Sequence, residues 1–517
     1  MNRTLRLAVS AVAAGALVSP LMLPSGTAVA KKKDGILHEY TADTWRSMAA
    51  MADPGTGLVS DNIGADLSPA SRAEYTSPTN IGAYLWSAVV ARETKLITSA
   101  ETRKRIALTL KTLPTLEKHE PSGMYYNWYD PRTGAKLTSW PIENAEGGHD
   151  TVHPFVSSVD NGWLATGLQV VIDEVPSLRK QARRVLDRMD FGYYYDPAVN
   201  QIRGGFWVAP RPGSIAGNYR GGETVYYTGH HYGAFNTEPR MASYLGIAAK
   251  QIPRKHYFGT WRTFPLVTND DPCYWGWTEQ KPTGDYRTYL GQEVFEGAYH
   301  YRGKSFVPTW GGSMFEALMV PLFVPEEKWG KQSWALTHPT YVRAQIEHGM
   351  NEAKYGYWGF SPSNNPAGGY REYGVDQLGM EPNGYSSDQE RTTVDEGYAG
   401  CRPPQPPPAS YGHGVVTPHA SFIALRYAPG PALANLAKLR RNFDAYGRGG
   451  FYDAINVTTG QTSEQHLSLD QGMIMAALGN ALADDVLRKP FSDGPMEQRV
   501  APLMRMEEFS LAPTGTP

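Results

Sequence analysis

Segments with apolar residues at helical spacing recur along this 517-residue chain, and several of them begin at Pro, Ser or Thr. These residues commonly occupy the first positions of helices, so the spacing predicts a mainly helical protein. The predicted helices fall into pairs that are joined by shorter and longer loops. They span Ala42–Ala52, Thr79–Thr94, Ala100–Leu113, Ser158–Glu174, Ser177–Asp190, Pro239–Gln251, Gly312–Val320, Pro339–Tyr355, Pro418–Tyr427, Pro431–Ala445 and Leu469–Leu487.

One type of loop recurs between these helices: an aromatic residue next to Asp, a few turn residues, and then Gly or Asn. It occurs at residues 126–134, 194–200 and 451–460. The pattern predicts a short β-hairpin at one end of a helix pair. Repetition of a helix pair with a hairpin indicates an all-α fold, a closed toroid of helix hairpins with a cup at one end. We expect a β-ribbon on the rim of that cup at Tyr193–Val208.

The N-terminus has the pattern of a secretory signal peptide: a basic start, an apolar run from Leu7 to Leu23, and an A-x-A site that ends at Ala30. Cleavage near Ala30 predicts a secreted protein. No proline-rich or polar linker clearly divides the rest of the chain, so we expect one large domain. The predicted parts are a signal peptide at 1–30, an N-terminal segment at 31–40, a catalytic domain at 41–490 and a C-terminal tail at 491–517.

Composition and charge restrict the class of partner. The net charge of −2 gives no attraction to nucleic acid or to anionic membranes. The chain contains 13 Trp, 31 Tyr and 53 Gly, and only 19% of its residues are charged. These values are typical of a sugar-binding cleft, although for any single ring a core position is the alternative. We expect a monomer whose partner is an oligo- or polysaccharide.

The cysteines and histidines indicate no cofactor. Export favours a disulfide between Cys273 and Cys401, with two free thiols as the alternative. The adjacent His230 and His231 point apart on a helix or a strand, so they are poorly placed to share a metal ion. Phosphate-binding glycine motifs and the G-x-S-x-G motif of serine hydrolases are missing from the sequence. We therefore expect neither a metal nor a cofactor.

One polar loop leads into the predicted helix Pro239–Gln251, with Asn236 or Thr237 as its cap. This arrangement puts Glu238 and Arg240 at the mouth of the helix. A helix start that points into a cavity is one way to place a reactive carboxylate. The alternative is that Glu238 only complements the helix dipole and pairs with Arg240.

Eight short segments, in order along the chain, resemble the glucoamylase-like glycoside hydrolases of the endo-β-1,2-glucanase clan and the related module of cyclic β-1,2-glucan synthases. The resemblance covers roughly Thr41 to Leu487 and implies an (α/α)6 barrel that hydrolyses a glycan with inversion. The segments are Thr76–Gly82, Tyr125–Asp130, Ser157–Ala165, Asn236–Ala242, Thr309–Glu316, Tyr411–Pro418, Gly450–Asp453 and Leu469–Met473.

The chain departs from this family at His413, where an acidic residue is typical. That position lies in the region where candidates for the catalytic base are placed. Asp395 and Glu396 are then the alternative candidates for the base, and His413 itself could bond a substrate hydroxyl or relay a proton. The departure leaves the substrate open between β-1,2-glucan, an arabinan and another wall glycan.

Inverting hydrolysis needs a protonated carboxyl at the leaving oxygen and an ionised group that activates water, about 6.5–9.5 Å apart. The resemblance implies that Glu238, at the start of an inner helix, is the acid. Asp160, near the start of another helix, is the predicted second carboxylate. A helix N-terminus and Arg240 both favour ionised Glu238, so an acid role requires burial or a neighbouring carboxylate.

The remaining candidates are expected to contact sugar. Asp130 has an Asx turn before Pro131 as its alternative role, and Glu316 has a core or helix-dipole role as its alternative. The predicted substrate-binding and stacking residues are Trp128, Asp130, Trp163, Arg240, Trp275, Trp277, Trp310, Glu316 and His413.

Two other functions remain open at this point. A polysaccharide lyase on the same toroid would use a Tyr, His, Asn and Arg set, and a protein that binds glycans without cleaving them needs no acid. The residues that suggest a lyase are His230, His231, Tyr232, Asn236 and Arg240.

Overall fold

The computed structural model describes residues 26–264, 280–380 and 414–511, with side chains from residue 34 onward. The described chain is mainly helical and also contains several small sheets, and none of its helices is long and apolar enough to cross a membrane. The helices are α1 Gly26–Met51, α2 Pro78–Glu93, α3 Ser99–Thr112, α4 Ser158–Glu174, α5 Arg179–Leu186, α6 Arg240–Ala248, α7 Met314–Leu318, α8 Glu326–Trp329, α9 Trp334–Glu347, α10 Pro418–Ile423, α11 Pro429–Asn442, α12 Ser468–Leu482, α13 Gly494–Arg499 and α14 Ala501–Met506.

The strands are short and antiparallel, and most of them form two-stranded ribbons. The larger sheets have the strand orders β10-β11-β9-β6 and β12-β13-β14. The strands are β1 Asn62–Gly64, β2 Lys118–His119, β3 Met124–Tyr125, β4 Ser139–Glu143, β5 His149–Thr151, β6 Phe155–Ser157, β7 Tyr195–Asp196, β8 Gln201–Ile202, β9 Gly205–Trp207, β10 Ile215–Gly217, β11 Val225–Tyr227, β12 Thr283–Tyr289, β13 Gln292–Tyr301, β14 Lys304–Phe306, β15 Ser363–Asn364, β16 Tyr370–Arg371, β17 Val415–Val416, β18 Tyr446–Gly447, β19 Gly450–Phe451, β20 Ile455–Asn456 and β21 Gln465–Leu467.

Six strongly buried helices lie side by side. Helix α2 packs between α4 and α12, α4 also contacts α6, and α12 contacts α10, which in turn contacts α7. The Arg240 side chain at the start of α6 donates hydrogen bonds to the carbonyls of Glu316 (2.9 Å) and Ala317 (2.8 Å) in α7. The contacts therefore form a closed ring, because α6 at one end of the row is bonded to α7 at the other. Each of these helices carries apolar residues on most of its surface, since neighbouring helices cover it.

Other helices flank this row on its outer side. Helix α3 contacts α2, α5 contacts α4, α9 contacts α7, α11 contacts α10, and α1 contacts α12. Each of these helices is buried along one side only. The short β-ribbons connect the pairs, as the predicted hairpin at residues 194–200 does through β7 and β8.

Glycines set the distance between the central helices. A Cβ atom on Gly82 of α2 would lie 2.3 Å from the carbonyl oxygen of Trp163 in α4, and one on Gly167 would lie 2.6 Å from the carbonyl oxygen of Gly82. On the other side of α2, a Cβ on Gly472 of α12 would lie 2.7 Å from the Cβ of Ala83. The backbones of α12, α2 and α4 approach so closely that a methyl group does not fit.

Several predicted boundaries were wrong. Helix α6 begins at Arg240 with Pro239 before it, and neither Asn236 nor Thr237 caps it. The Asn236 amide donates instead to the carbonyl of Val307 (3.0 Å), and the Thr237 hydroxyl to the carbonyl of Ala234 (2.9 Å). Asn236 thus has a partner that is distant in sequence, which the local pattern does not show, whereas Thr237 bonds back to a residue of its own loop.

Pro339 does not start its helix, because α9 already begins at Trp334 and contains Pro339. The buried side chains of Trp334 and His338 hold the earlier turn against the core, and this packing outweighs the preference of Pro for a first turn. Residues 283–306, which looked irregular in sequence, form the sheet β12-β13-β14.

One continuous hydrophobic core includes buried residues from Leu37 to Phe509. The segment predicted as a C-terminal tail contains helices α13 and α14, and its Met504 and Phe509 lie in this core. Of the predicted signal peptide, residues 1–25 lie outside the described residues.

We predict that Gly82→Ala destabilises the protein by about 1–3 kcal/mol, because the new methyl group overlaps the Trp163 carbonyl oxygen at 2.3 Å. Gly430→Ala in α11 is the matched control, since a Cβ there meets no atom within 4 Å. The free energy of unfolding in urea should fall for Gly82→Ala and stay equal or rise for Gly430→Ala. Equal stability of the two variants would contradict the close approach of α2 and α4.

Candidate active site

A cavity of about 870 Å³ opens where α2, α4 and α12 begin. Thr79 and Asn80 reach it from the first turn of α2, Asp160 from the first turn of α4, and Leu469 from the first turn of α12. A volume of this size is typical of a small-molecule site. The N-terminal ends of three central helices, α2, α4 and α12, thus meet at one cavity.

Three aromatic rings form one wall of the cavity. The Tyr75 ring lies 4.5 Å from that of Trp140 and 5.6 Å from that of Trp128, and the two indoles lie 5.8 Å apart. Edge-to-face and tilted contacts hold these rings in place and leave faces directed to the cavity. The predicted substrate residue Trp128 is therefore on the cavity wall, next to two rings that the sequence did not single out.

Asp160 also lines the cavity and is fixed by neutral donors. Its two oxygens accept hydrogen bonds from the Thr79 hydroxyl (2.7 Å) and the Asn127 side-chain amide (2.9 Å). Ser157 caps α4 by accepting a bond from the Asp160 backbone N–H (3.1 Å). A carboxylate has about four acceptor sites, so Asp160 can still accept from water or substrate.

A second carboxylate, Asp61, also lines the cavity and was missed in the sequence. It accepts hydrogen bonds from the side-chain amides of Asn80 (2.8 Å) and Asn62 (3.2 Å). Burial raises the pKa of Asp61, and the negative charge of Asp160 raises it further. Asp61 is not part of a recognisable sequence motif. Only the folding of the chain brings it beside α2 and α4.

Glu238 has the protonation behaviour that an acid requires. Burial raises its pKa to about 8, and the negative charge of Glu316 contributes in the same direction. The N-terminus of α6 and Arg240 do not offset these effects. A carboxyl with this pKa is mostly protonated at neutral pH and can give its proton away.

Glu316 is the neighbouring carboxylate that the acid role required. It forms a capping box at the start of α7 with Ser313, whose hydroxyl and N–H both donate to it (2.9 and 3.2 Å). The N–H groups of Trp310 and Gly311 also donate to Glu316, at distances of 3.0–3.3 Å. Burial raises the pKa of Glu316, but these bonds favour its charged form, so the proton of the pair resides on Glu238.

Arg240 does not contact Glu238 as its ion-pair partner. Its guanidinium is buried and forms a bidentate pair with Glu326, at 2.8 and 3.0 Å. Its other donors reach backbone carbonyls, so the prediction that Arg240 binds substrate has no support in this geometry. Glu316 is likewise engaged as a helix cap rather than directed to the cavity.

Tyr232 is a side chain on which the charge of Glu238 and the charges of two cavity carboxylates act together. Burial raises the pKa of the Tyr232 phenol, and the charges of Glu238, Asp160 and Glu372 add to this effect. Glu372 and Asp160 both line the cavity. Glu238 and Tyr232 are not among the residues that line the cavity, so the phenol relates Glu238 to Asp160 through charge and not through a contact.

A buried acid pair lies near the first turn of α12, below Leu469. Asp453 and Asp470 are each 2% exposed, and the Nδ1 atom of His419 lies 2.6 Å from Asp470 Oδ2. Burial raises the pKa of both acids, and burial lowers that of His419 to about 4. The sequence segments that contain Asp453 and Asp470 carried the family resemblance, but we did not predict the carboxylates as site residues.

Other predicted residues lie away from the cavity. Asp130 Oδ1 accepts from the N–H of Arg132 (2.7 Å), which is the Asx turn considered as its alternative role. Trp163 is 1% exposed and packs on Trp86 and Phe323 in the core, so the prediction that it stacks on sugar was wrong.

Trp310 lies near Phe264 and is not among the residues that line the cavity. The remaining candidates lie outside the described residues. These are Cys273, Trp275, Trp277, Asp395, Glu396, Cys401 and His413.

Comparison with known proteins supports the family resemblance that the sequence segments indicated. The Glycoamylase family model, described as "Putative glucoamylase", matches residues 273–495. The chain resembles the glucoamylase-like proteins, as predicted. A second family model, of a protein of unknown function (DUF3131), matches residues 39–197.

A curated relative is the cyclic β-(1,2)-glucan synthase NdvB of Rhizobium meliloti (strain 1021), with 24% identity. The alignment covers 89% of this chain but only 18% of that protein. The glucoamylase-like chain therefore spans a small part of its relative.

Two solved endo-β-1,2-glucanases share the fold. The enzyme of Chitinophaga pinensis, in complex with sophorotriose and glucose, has a TM-score of 0.61 at 15% identity and covers 92% of this chain and 98% of its own. The enzyme of Talaromyces funiculosus, in complex with sophorose, has a TM-score of 0.61 at 11% identity and covers 92% of this chain and 90% of its own. At these identities the likeness establishes the fold.

We predict that Glu238→Gln changes the pH dependence of stability. The folded-state pKa of Glu238, about 8, lies above that of an unfolded glutamate, about 4.3. Its proton therefore contributes stability that is complete below about pH 4 and is lost as the pH rises through 8. Gln cannot ionise, so the stability of the variant should not fall in this way. Between pH 5 and pH 9 the free energy of unfolding of Glu238→Gln should therefore rise, relative to that of the wild type, by more than about 1.4 kcal/mol.

Urea unfolding at pH 5, 7 and 9 measures this difference. Glu117→Gln removes an exposed carboxylate outside the cavity and serves as the control. Parallel pH trends for wild type and Glu238→Gln would show that Glu238 ionises normally.

Proposed function

We propose that this glucoamylase-like protein is a glycoside hydrolase that cleaves a β-glucan with inversion. The observations that carry the proposal are Glu238, whose pKa is raised to about 8 by burial and by the charge of Glu316, and a cavity with an aromatic wall that is lined by Asp160. Cleavage of a glycosidic bond needs a proton donor at neutral pH, and this carboxyl has the pKa of one.

The proposed scaffold is an (α/α)6 barrel. Its inner helices would be α2, α4, α6, α7, α10 and α12, in agreement with the closed order of their contacts. The outer helices would be those that flank the row. In such a barrel the inner helices begin at one end, which accounts for the convergence of their first turns on the cavity.

In the proposed mechanism Glu238 gives its proton to the glycosidic oxygen as the bond to the anomeric carbon breaks. Asp160, held in place by Thr79 and Asn127, accepts a proton from the water that attacks the opposite face. Glu316 stays charged under its cap and keeps the proton on Glu238 before each reaction cycle. Asp395 and Glu396, outside the described residues, are the alternative bases that we propose.

The proposed substrate is a β-1,2-linked glucan. The two solved enzymes with this fold are named endo-β-1,2-glucanases, and the curated relative is named a cyclic β-(1,2)-glucan synthase. The rings of Tyr75, Trp128 and Trp140 provide apolar faces for pyranose rings, while Asp61 and Glu372 can bond hydroxyl groups.

We further propose that the chain is exported through the signal peptide at 1–30 and that residues 41–490 form the catalytic domain. We propose that it acts as a monomer without a metal or a cofactor, and that Cys273 and Cys401 are bridged. Export would bring the enzyme to extracellular glycans.

The lyase alternative has less support. Asn236 is fully buried and donates to the carbonyl of Val307, Arg240 is paired with Glu326, and His231 is bound to Asp196 (2.9 Å). Of the five residues that suggested a lyase, only Tyr232 lies among the carboxylates of the site.

We predict that Glu238→Gln lowers kcat on linear β-1,2-glucan by about 10²–10⁴-fold while binding is retained, because Gln cannot donate the required proton. Reducing-end release measures the rate, and calorimetry of the variant measures affinity. Glu117→Gln should retain the wild-type rate.

Proton NMR of the first products tests inversion, since the anomer released must be opposite to that of the substrate bond. A retained anomer would exclude Asp160 as the base of an inverting reaction. Products that absorb in the ultraviolet would indicate a lyase, and no turnover on any wall or storage glycan would favour a binding protein.

We predict that Trp128→Ala raises KM about 3- to 10-fold with a smaller effect on kcat, because the ring contributes stacking area away from the bond that breaks. Tyr286→Ala is the matched control, since Tyr286 is an exposed ring on β12 away from the cavity. Equal KM values for Trp128→Ala and the wild type would contradict the proposal that the aromatic wall binds substrate.

A further inference from the structure

Arg240 is the most extensively bonded side chain near the proposed acid. Its Nε and Nη2 atoms donate to the two carboxylate oxygens of Glu326, at 2.8 and 3.0 Å. Its Nη1 atom donates to the carbonyls of Thr237 (2.9 Å) and Glu316 (2.9 Å), and Nη2 also donates to the carbonyl of Ala317 (2.8 Å). One guanidinium thus joins the residue before Glu238 to the backbone of its partner carboxylate.

Glu326, at the start of α8, is completely buried and has further donors. The Tyr244 hydroxyl donates to Oε1 (2.9 Å), and the Nε2 atom of His338 lies 3.0 Å from Oε2. Burial by itself raises the pKa of Glu326, but the charge of Arg240 and the bond from His338 lower it to about 2. Glu326 is therefore charged over the whole range in which Glu238 titrates.

Burial also lowers the pKa of His338, so this ring is neutral at pH 7 and adds no positive charge. The Trp334 ring covers the Arg240 guanidinium, whose carbon lies 4.9 Å from the ring centre. The charge of Arg240 is thus balanced by the carboxylate of Glu326, and neither residue lines the cavity.

We infer that Glu326 is a positioning residue for the acid: it draws the Arg240 guanidinium away from Glu238 and fixes it where it ties Thr237 to Glu316. Two effects follow from this arrangement. The carboxyls of Glu238 and Glu316 are kept as neighbours by bonds between their backbones. Arg240, the cation at the start of the same helix, is paired with Glu326, so it does not form an ion pair with Glu238.

The other titratable groups near Glu238 act in the same direction or are neutral. Glu316 on α7 and Glu372 after β16 carry negative charge, which favours the protonated form of Glu238. The phenols of Tyr232 and Tyr370 are neutral because burial raises the pKa of each. Arg240 is the positively charged group that lowers the pKa of Glu238, and its charge would lower that pKa further if the guanidinium were released from Glu326.

The test is Glu326→Gln, which keeps the shape of the side chain and removes its charge. A released Arg240 should lower the pKa of Glu238 by about 1–3 units, and the fall in activity at high pH should move to lower pH by the same amount. Glu327→Gln is the matched control, because the Glu327 carboxylate accepts hydrogen bonds from Arg488 (2.7 and 2.8 Å) and not from Arg240. The pH profile of Glu327→Gln should equal that of the wild type.

Glu326→Gln leaves a buried cation without its partner and could fail to fold. Glu326→Asp therefore provides a second test, because it retains the charge but is too short to hold both nitrogen atoms in the same place. It should shift the profile in the same direction by a smaller amount. A wild-type profile for whichever of these variants folds would overturn the inference.

The inference uses the proposed acid role of Glu238, so a measurement without catalysis separates the two. Carbon-13 NMR of protein labelled at the glutamate carboxyl gives the pKa of Glu238, assigned by the signal that Glu238→Gln lacks. A pKa near 8 that falls in Glu326→Gln supports the positioning role even if no glycan is cleaved. An unchanged pKa contradicts it even if the protein is an active hydrolase.

Discussion

The buried ion pair between Arg240 and Glu326 joins the parts of the molecule on which the site depends. Taking both charges out of water is costly, and the cost is offset only because every group has hydrogen-bonding partners. The same guanidinium links α6 to α7 by donating to the backbone carbonyls of Glu316 and Ala317. The packing of α6 against α7 and the positions of Glu238 and Glu316 thus depend on the same guanidinium.

The chemistry of the site depends on the different surroundings of its carboxyl groups. Asp160 has neutral donors on both oxygens, Glu316 has four donors at a helix start, and Glu238 is buried beside a negative charge. The three acids therefore lie in different environments, and that of Glu238 raises its pKa to about 8. A fold that places the first turns of several helices around one cavity makes such differences possible.

Some features could be predicted from local sequence. The spacing of apolar residues gave helix α4 with its observed bounds, Ser158–Glu174, and the turn residues gave the hairpin at 194–200. Asp160 and Glu238 were predicted because helix starts have recognisable residues around them. Trp128 was found because it lies in a segment with an unusual density of aromatic side chains.

Contacts distant in sequence decided the rest. Arg240 looked like the partner of Glu238 because it is two residues away, but Glu326, which lies 86 positions further along, binds it in the folded protein. Asp61 belongs to the cavity only because α2 and α4 meet across glycines that allow close approach. The sequence by itself determined the helical class and the acids at helix starts, since these depend on neighbouring residues. The pKa of each acid was decided by tertiary structure, because burial and charge depend on groups that only folding brings together.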